Sequence, residues 1–446
     1  MNILNYFKDR NSKAKLNINQ NIEIPDNFVF NDEFQEVYNT MENSNGNMLI
    51  TGKAGTGKST LLTYFRLHSK KKIAVVAPTG IAAVNVSGVT IHSFFHFPPN
   101  FIRKETIRRS REQGVYNKID TLIIDEISMV RADLMDGIDY ALRINRDRMD
   151  LPFGGVQIIV FGDLFQLPPV IEHELRELFH KKYRTPFFFS ADIFKECSFV
   201  YRELTAVYRQ TDTQFIELLN SIRSCNITDC ELRHLNSRYN ANISYNDENG
   251  IVLTSTNSAA IKLNNDRLNQ LSGKEYIYEA HIVGGYSSKM CPTEVKLRLK
   301  KHAKVILIRN DPMKRWVNGT IAEIADLSTD KISIKIENRI YEVSEEKWSN
   351  IKYVYNETED RIDEEELGSF TQYPIKLAWA VTIHKSQGQT FDKAIIDLGS
   401  GAFASGQLYV ALSRCKTLEG IALSKPVIYS DIIFDENIHN FVKSLR

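Results

Sequence analysis

The stretch Gly52-Lys-Ala-Gly-Thr-Gly-Lys58-Ser59-Thr60 sets glycines, a lysine and hydroxyls at the spacing G-x-x-x-x-G-K-[ST], directly after the apolar run Met48-Leu-Ile-Thr51. A strand that turns into a helix through such a loop aims backbone N–H groups and a positive helix end at one point, which is the chemistry of a phosphate cradle. Gly52, Gly55 and Gly57 let the chain wrap closely, with Thr56 between them. Lys58 brings a mobile charge toward a terminal phosphate, and Ser59, followed by Thr60, offers a hydroxyl to Mg2+. Binding a nucleotide is not yet hydrolysing it. The acids for that step are supplied by Thr121-Leu-Ile-Ile-Asp125-Glu126, where an apolar strand carries Asp125 toward the metal and leaves Glu126 to polarise a water. Gln166, in Gly162-Asp-Leu-Phe-Gln-Leu-Pro-Pro169, follows another apolar run; it can sense a γ-phosphate or serve as an ordinary loop hydrogen-bonder. Together these residues describe a site for ATP and Mg2+.

The elements that must hold them are legible as a rhythm. Short apolar runs at Met48–Thr51, Ile73–Ala77, Leu122–Asp125 and Ile158–Phe161 alternate with helix-compatible segments, and Ile251–Thr254, Ala378–Val381 and Ala394–Asp397 repeat the pattern. Buried strands alternating with helices predict parallel sheets covered on both faces, hence α/β architecture in two domains. From about Val305 to Val343 the rhythm changes to short β-rich runs with breaks at Asn318-Gly319, Ser328-Thr-Asp330 and Glu337-Asn338, which predicts a small inserted β-domain. Its exit is marked by Glu357 to Glu366, seven acids and one base, read as a solvated segment.

A length of 446 residues allows about three domains of ordinary size. Charged residues make up 25% and hydrophobic ones 43%, which excludes disordered and fibrous classes. Five scattered cysteines give neither a disulfide framework nor a zinc spacing. No leader-like or membrane-spanning apolar run is apparent, and a cytoplasmic protein, nucleoid-associated if bacterial, is expected. The net charge of +1 gives no hint of a nucleic-acid partner. Without Glu357 to Glu366, however, the remainder carries +7, with +4 over Phe101 to Lys118 and +5 over Val295 to Lys304.

Taken in order, the phosphate loop, Ala77-Pro-Thr-Gly-Ile-Ala-Ala83, Thr90-Ile-His-Ser-Phe-Phe95, Asp125-Glu126, Gly162 to Pro169, Tyr208-Arg209-Gln210, Thr382-Ile-His-Lys-Ser-Gln-Gly-Gln-Thr390 and Tyr409-Val-Ala-Leu-Ser-Arg414 resemble the helicase motifs of superfamily 1. The wording is most similar to Pif-type helicases of its B branch, related to RecD-like and Dda-type enzymes. The resemblance implies two RecA-like parallel-sheet domains, with an N-terminal extension at 1–25, the first domain at 26–200 with a wedge insertion at about 97–118, and the second at 201–275 and 371–446. Residues 276–370 would form a small barrel of Src-homology-like type. The resemblance also implies ATP bound between the domains by Lys58, Ser59, Asp125, Glu126 and Gln166, with Arg209 and Arg414 reaching in from the second domain as arginine fingers. Gly388 would approach the γ-phosphate, Tyr208 would stack on adenine, and Gln35 would read its edge, although Gln35 stands one position later than the common spacing.

Single-stranded DNA is the implied partner. Pro78, Thr79, Gly80, His92, Ser93 and Phe94 on the first domain, and Thr254, Thr256, Asn257, His384 and Lys385 on the second, combine hydroxyls, exposed backbone and rings suited to phosphates and bases. The Phe94-Phe95 pair fits a core position equally well on sequence alone. Each basic stretch is a DNA contact or merely a solvated face. The family further implies an ATP-driven helicase travelling 5′ to 3′, active on DNA forks, with G-quadruplexes and RNA–DNA hybrids as further substrates, working as a monomer that can assemble on DNA. A RecD-like translocase that does not split duplexes, and a nucleotide-switched binding module with no motor cycle, are the rival readings.

Overall fold

The computed structural model describes residues 30–445 apart from residues 99, 111–112, 172–174, 211, 240, 242–249, 288–289, 357 and 360. The expected extension at 1–25 lies outside the described residues. Six strands, β1 (Asn47–Gly52), β2 (Ile73–Ala77), β3 (Val89–Thr90), β4 (Thr121–Ile124), β5 (Gln157–Phe161) and β6 (Phe199–Leu204), form a wholly parallel sheet in the order β3-β2-β4-β5-β1-β6. Alternate residues of the inner strands feed two separate cores. Met48, Ile50, Val75, Ile123 and Ile159 face α1 (Asp32–Asn43) and α2 (Lys58–His68) through Phe34, Val37, Leu61 and Phe65. Leu49, Val76, Leu122, Ile158 and Val160 enter the other core with Met135, Ile138 and Leu142. Burial on both faces is why these strands read as unbroken apolar runs. The same domain carries α3 (Gly80–Asn85), α4 (Ile91–Phe95), α5 (Gln113–Lys118), α6 (Ala132–Asn145), which supplies that last trio, and α7 (Arg176–Lys182).

β6 pairs with β1 from Asn47↔Phe199 to Gly52↔Leu204, so the first sheet runs past the boundary expected at residue 200. As a half-exposed edge strand carrying Arg202 and Glu203, it lacks the apolar signature that betrayed its neighbours. The expected wedge segment is laid against the first domain's core, with Phe97, Phe101, Ile102, Ile107, Val115 and Tyr116 all buried there.

The second parallel sheet contains β7 (Gly250–Thr254), β18 (Ala380–Thr382), β19 (Lys393–Asp397) and β20 (Ile421–Leu423), in the order β18-β7-β19-β20. Its helices are α8 (Thr213–Arg223), α9 (Asp229–Asn236), α10 (Asn257–Gln270) and α11 (Gln407–Leu412). Between β7 and β18 lies the all-antiparallel insertion. It comprises β8 (Tyr276–Glu279), β9 (His281–Gly284), β10 (Lys296–Leu299), β11 (Lys304–Leu307), β12 (Ile321–Leu327), β13 (Ile332–Ile336), β14 (Arg339–Val343), β15 (Glu346–Asn356), β16 (Arg361–Gln372) and β17 (Ile375–Leu377). These form three sheets, β14-β13-β12-β11-β17, β10-β8 and β15-β16-β9. Because β17 pairs with β11, the insertion extends beyond the boundary expected at 370.

The acidic run is not a solvated exit. Its described part opens the long strand β16, where Glu365 pairs with Lys352 and Glu366 with Lys347, both from β15. Glu364 reaches the first domain and accepts from Arg66 at 2.5 Å, with both side chains largely buried. Beside it Tyr353 enters the first domain's core and its hydroxyl accepts from the Val75 N–H at 3.3 Å. The basic run at 295–304 is likewise spent internally: Lys296 pairs with Glu279, Arg298 with Glu275 and Lys301 with Asp326, while the buried Lys304 donates to the Gly250 carbonyl. It offers no free cationic face for DNA. Finally α12 (Glu436–Leu445) leaves the second domain and docks on the first, its Phe441 stacked 4.2 Å from Phe189.

Removing Arg66 strands a buried carboxylate, which costs roughly 3 kcal/mol. Arg66→Met is therefore expected to lower the unfolding midpoint clearly, and adding Glu364→Gln to recover part of the loss; equal midpoints for wild type and Arg66→Met in a thermal melt would refute the docking contact.

Candidate functional site

The phosphate loop connects β1 to α2, and the Lys58 ammonium folds back over it, donating to the carbonyls of Gly52 at 2.7 Å and Lys53 at 2.9 Å. Burial pulls its pKa below the ordinary lysine value, partly opposed by the charges of Asp163 and Glu126. Gly55, at φ 83°, cannot be replaced without strain, because a Cβ there would meet the Arg209 Cβ at 2.6 Å. The Tyr208 N–H donates to the Gly55 carbonyl at 2.8 Å, which pins Tyr208-Arg209 to the loop itself. Arg209 thus belongs to the connector between β6 and α8 and not to the second domain, a correction to the expected origin of that arginine. The same anchoring leaves Tyr208 49% exposed, its hydroxyl accepting from Asn31 Nδ2 at 2.8 Å, with Phe34 6.0 Å away and packed against Gly57. This is an open aromatic shelf beside the cradle. Gln35 lies exposed on α1 and donates to Asn39.

Asp125 and Glu126 follow β4, and Glu126 adopts φ 50°, the left-handed region, at the turn. Burial raises the pKa of both carboxyls, Asp125 being raised further by the charge of Glu126. Two crowded acids of this kind are a site short of positive charge. Opposite them is the reverse condition. Arg414 is 2% exposed at the end of α11, its guanidinium donating only to the carbonyls of Val410, Ser386 and Gln389 and to the Ser413 hydroxyl. Burial and then the charge of Arg209 pull its pKa down to about 9. Arg209 donates to the Ser413 carbonyl at 3.2 Å, and burial lowers its pKa as well. Among the described residues neither arginine has a carboxylate partner. Gly388, at φ 79°, lies in the segment that wraps Arg414 and faces Asn85 of α3. The side-chain atoms Gln387 Nε2 and Gln389 Oε1 beside it are buried without a partner.

The two sheets are joined at Asp163, just beyond β5. One oxygen accepts from Arg223 Nη2 at 3.1 Å and Nε at 3.2 Å; the other accepts from the Tyr409 hydroxyl at 3.0 Å. That hydroxyl in turn accepts from the Ala54 N–H of the phosphate loop at 2.9 Å. Burial alone would raise the Asp163 pKa, but Arg223 and Lys58 hold it below the usual range. Arg223 also lies 4.2 Å over the Phe165 ring, and Gln166 is buried with its amide 3.4 Å from Asp163. Gly406, at φ 72°, lets the start of α11 approach so closely that a Cβ would stand 2.3 Å from the Phe165 carbonyl.

A second array lies at the carboxyl ends of paired strands, where open α/β sheets place ligands. Pro78, Thr79 and Gly80 follow β2, and α4, with His92 and Ser93, starts after the adjacent β3. In the other sheet Thr256 and Asn257 follow β7, and His384 and Lys385 follow the adjacent β18. Thr79 and Thr256 use their hydroxyls as N-caps, accepting from Ala82 and Ala259. Burial lowers the His384 pKa, which favours the neutral ring. Two expected contacts fall away. Phe94 is 8% exposed, 4.8 Å from Phe95 and 5.4 Å from Tyr116, a core ring that cannot stack on a base without unpacking. Thr254 is buried, its hydroxyl spent on the Thr256 carbonyl. Lys376 on β17 is an addition: burial and then the charge of Lys385 bring its pKa to about 8.

The arrangement has solved counterparts. Residues 29–233 match the PIF1-like helicase family. Pif1 from Bacteroides sp, solved with ADP-AlF4, is 38% identical and superposes with a TM-score of 0.85, covering 94% of this chain and 97% of that one. The chain belongs to the PIF1-like helicase family. The ATP-dependent DNA helicase Pif1 of Bdellovibrio bacteriovorus is 32% identical, over 90% of this chain and 89% of its own length. PIF1 of Xenopus laevis is 34% identical over 90% of this chain, but the chain spans only 62% of that relative.

In this PIF1-like chain, Asn31, Phe34, Arg223 and Lys376 were not foreseen. Asp163 and Tyr409 stood inside recognisable motifs with no role attached, whereas Arg223 closes a helix with nothing in its spacing to mark it. Arg223→Met leaves Asp163 buried without its cation, so a cost of roughly 3 kcal/mol at pH 7 is expected. With Arg223 present the acid's pKa is depressed, and its contribution is lost only as pH falls below about 4. In the variant burial is opposed only by Lys58 and the remaining hydrogen bonds, so the carboxyl's pKa rises from its wild-type position and the deficit shrinks on acidification from pH 7 toward 5. Denaturation curves at the two pH values check this, and a deficit independent of pH would contradict it.

Proposed function

We propose that the protein is an ATP-dependent DNA helicase that moves on single-stranded DNA and separates duplex strands. The observation that carries this reading is the pair of arginines, the buried Arg414 and the half-buried Arg209, which among the described residues lack a carboxylate partner and lie with Lys58 near Glu126. Buried guanidinium groups without counter-charge are costly, and a polyphosphate seated in the cradle supplies the missing negative charge. A cation delivered across a cleft stabilises a phosphoryl-transfer transition state only when the cleft is closed, which ties hydrolysis to domain movement. The residues fit Mg2+: Asp125 and Ser59 are the donors offered to it, and the raised carboxyl pKa values of Asp125 and Glu126 are what a nearby divalent cation relieves. When bound, the ion would neutralise charge on the phosphates. Glu126 is then the group left to take a proton from an attacking water.

The DNA assignment draws on the two matching arrays at Thr79–His92 and Thr256–Lys385, one on each sheet, whose spacing changes as the cleft opens and shuts. A Pif1 helicase from Bacteroides has been solved with ADP-AlF3 and single-stranded DNA, and Pif1 helicases have been described unwinding forked duplexes as two coordinating copies. Travel 5′ to 3′ and activity on G-quadruplexes or RNA–DNA hybrids follow from the family resemblance.

The decisive measurement is release of a labelled strand from forks bearing either a 5′ or a 3′ tail, alongside ATP hydrolysis with and without single-stranded DNA. Strand release from the 5′-tailed substrate and DNA-stimulated hydrolysis are expected. Translocation without release would leave only a motor that does not split duplexes, and hydrolysis indifferent to DNA would sink the motor reading. Lys58→Ala is expected to abolish both activities, and Arg414→Ala to lower kcat on the order of a thousandfold with nucleotide affinity little changed.

A further inference from the structure

Helix α7 has no part in the nucleotide site or in the paired arrays, yet it is bound tightly to the segment that follows α4. Phe179 of α7 lies 5.0 Å from Phe101, and Tyr183 lies 6.2 Å from the same ring. Arg131 clamps the joint, its guanidinium 5.7 Å over Phe179 and donating to the Asn100 carbonyl at 2.8 Å. Around this buried aromatic joint the exposed side chains are predominantly cationic: Arg103, Lys104 and Arg108 from the segment, Lys181, Lys182 and Arg184 from the end of α7 and just beyond. Asp192 shows that the two sets share one surface. Its carboxyl is held below the usual range by the Lys195 hydrogen bond and then by the charges of Lys195, Lys104 and Lys182. Among the described residues Arg103, Lys181 and Arg184 form no ion pair, in contrast to the spent cations at 295–304.

We propose that this surface, centred on Lys181 and Arg184 with Arg103 beside them, grips the phosphates of duplex DNA. The proposal rests on the helicase reading and names where that activity holds its double-stranded substrate. The kind of nucleic acid follows from what the surface lacks. A single-strand platform needs rings on which unstacked bases can lie, and here Phe101, Phe179 and Tyr183 are all buried under the cations. Charge without exposed rings suits a duplex, whose bases are already stacked and which presents a phosphate charge about every 1.7 Å of axis. The position agrees. The segment leaves α4, which carries His92 and Ser93, and its Phe97 and Ile102 cross Gly137 of α6 before reaching α7, so one continuous stretch of chain links the single-strand array to the cationic surface.

The test uses the full chain with Lys181→Gln and Arg184→Gln combined, both side chains being exposed and Lys182 left in place because it packs over Phe101 and Tyr183. Affinities for a 5′-tailed fork and for single-stranded DNA are measured over a range of salt. Loss of two phosphate contacts is expected to weaken fork binding about tenfold and to reduce its log–log salt slope by about 2. Single-strand affinity and DNA-stimulated hydrolysis stay at the wild-type level. Lys296→Gln with Lys301→Gln removes the same net charge from a patch already paired, and is expected to leave fork binding unchanged. Unchanged fork affinity in the first variant, equal weakening in both variants, or a matching loss of single-strand affinity would each overturn the assignment. Failure of the wild type to hydrolyse ATP in response to DNA would instead strike the helicase reading.

Discussion

Burying a guanidinium without a carboxylate costs several kcal/mol unless carbonyl oxygens or a ligand take its place. Arg414 is held in that condition, with main-chain carbonyls and a serine hydroxyl as its partners, and the half-buried Arg209 donates to the neighbouring Ser413 carbonyl. Across the cleft Asp125 and Glu126 have the opposite deficiency, two buried acids whose pKa values are raised. Arg414 and Lys58 offset the charge of Glu126 only in part, since burial still leaves the acid's pKa raised. The two halves remain complementary to something that carries both signs, and a nucleotide polyphosphate with its divalent cation is such an object. The strained turn at Glu126 and the close approach at Gly55 keep each half in place.

Asp163 solves a different problem. It is as deeply buried as the reactive acids, yet fully engaged by Arg223, Tyr409 and Gln166, and through Tyr409 it is tied to the phosphate loop. One carboxylate therefore joins β5, α8, α11 and the loop after β1. The long hairpin β15–β16 and helix α12 cross between the halves as well, one leaving the insertion and the other the chain's end, and both finish in the first domain's aromatic core. Any relative movement of the sheets must therefore break or bend around three ties, at Asp163, at the β15–β16 hairpin and at α12. This favours two discrete arrangements over a continuous slide.

The inner strands of both sheets were legible because burial on both faces forces apolar runs, and the phosphate loop and acid pair because their chemistry dictates spacing. β6, β15 and β16 were not legible, since edge and hairpin strands can carry charge and resemble loops. The acidic run illustrates this: Glu364 to Glu366 look solvated in sequence, and only the fold brings each a cation, Lys352 directly across the hairpin from Glu365, Lys347 diagonally to Glu366 and Arg66 of α2 to Glu364. Phe94 illustrates the converse. Its neighbours His92 and Ser93 sit in an array of hydrogen-bonding groups, but a short helix turns adjacent residues to different sides, and the phenylalanine side meets Tyr116. Arg223 had no signal because its partner is sixty residues away and only the fold brings them together.

The same distinction governs the charge balance. The basic run at 295–304 and the cations of α7 have different fates, and the difference lies in secondary structure. At 295–304 the cations occupy or adjoin antiparallel strands, whose neighbours run past at fixed spacing and place Glu279, Glu275 and Asp326 within reach. At 176–184 they project from the short helix α7 and the residues just beyond it, which turn Phe179 and Tyr183 inward. The fold pairs the first internally and leaves Lys181 and Arg184 of the second exposed without an ion pair among the described residues, so a chain with a net charge of +1 still presents a positive surface.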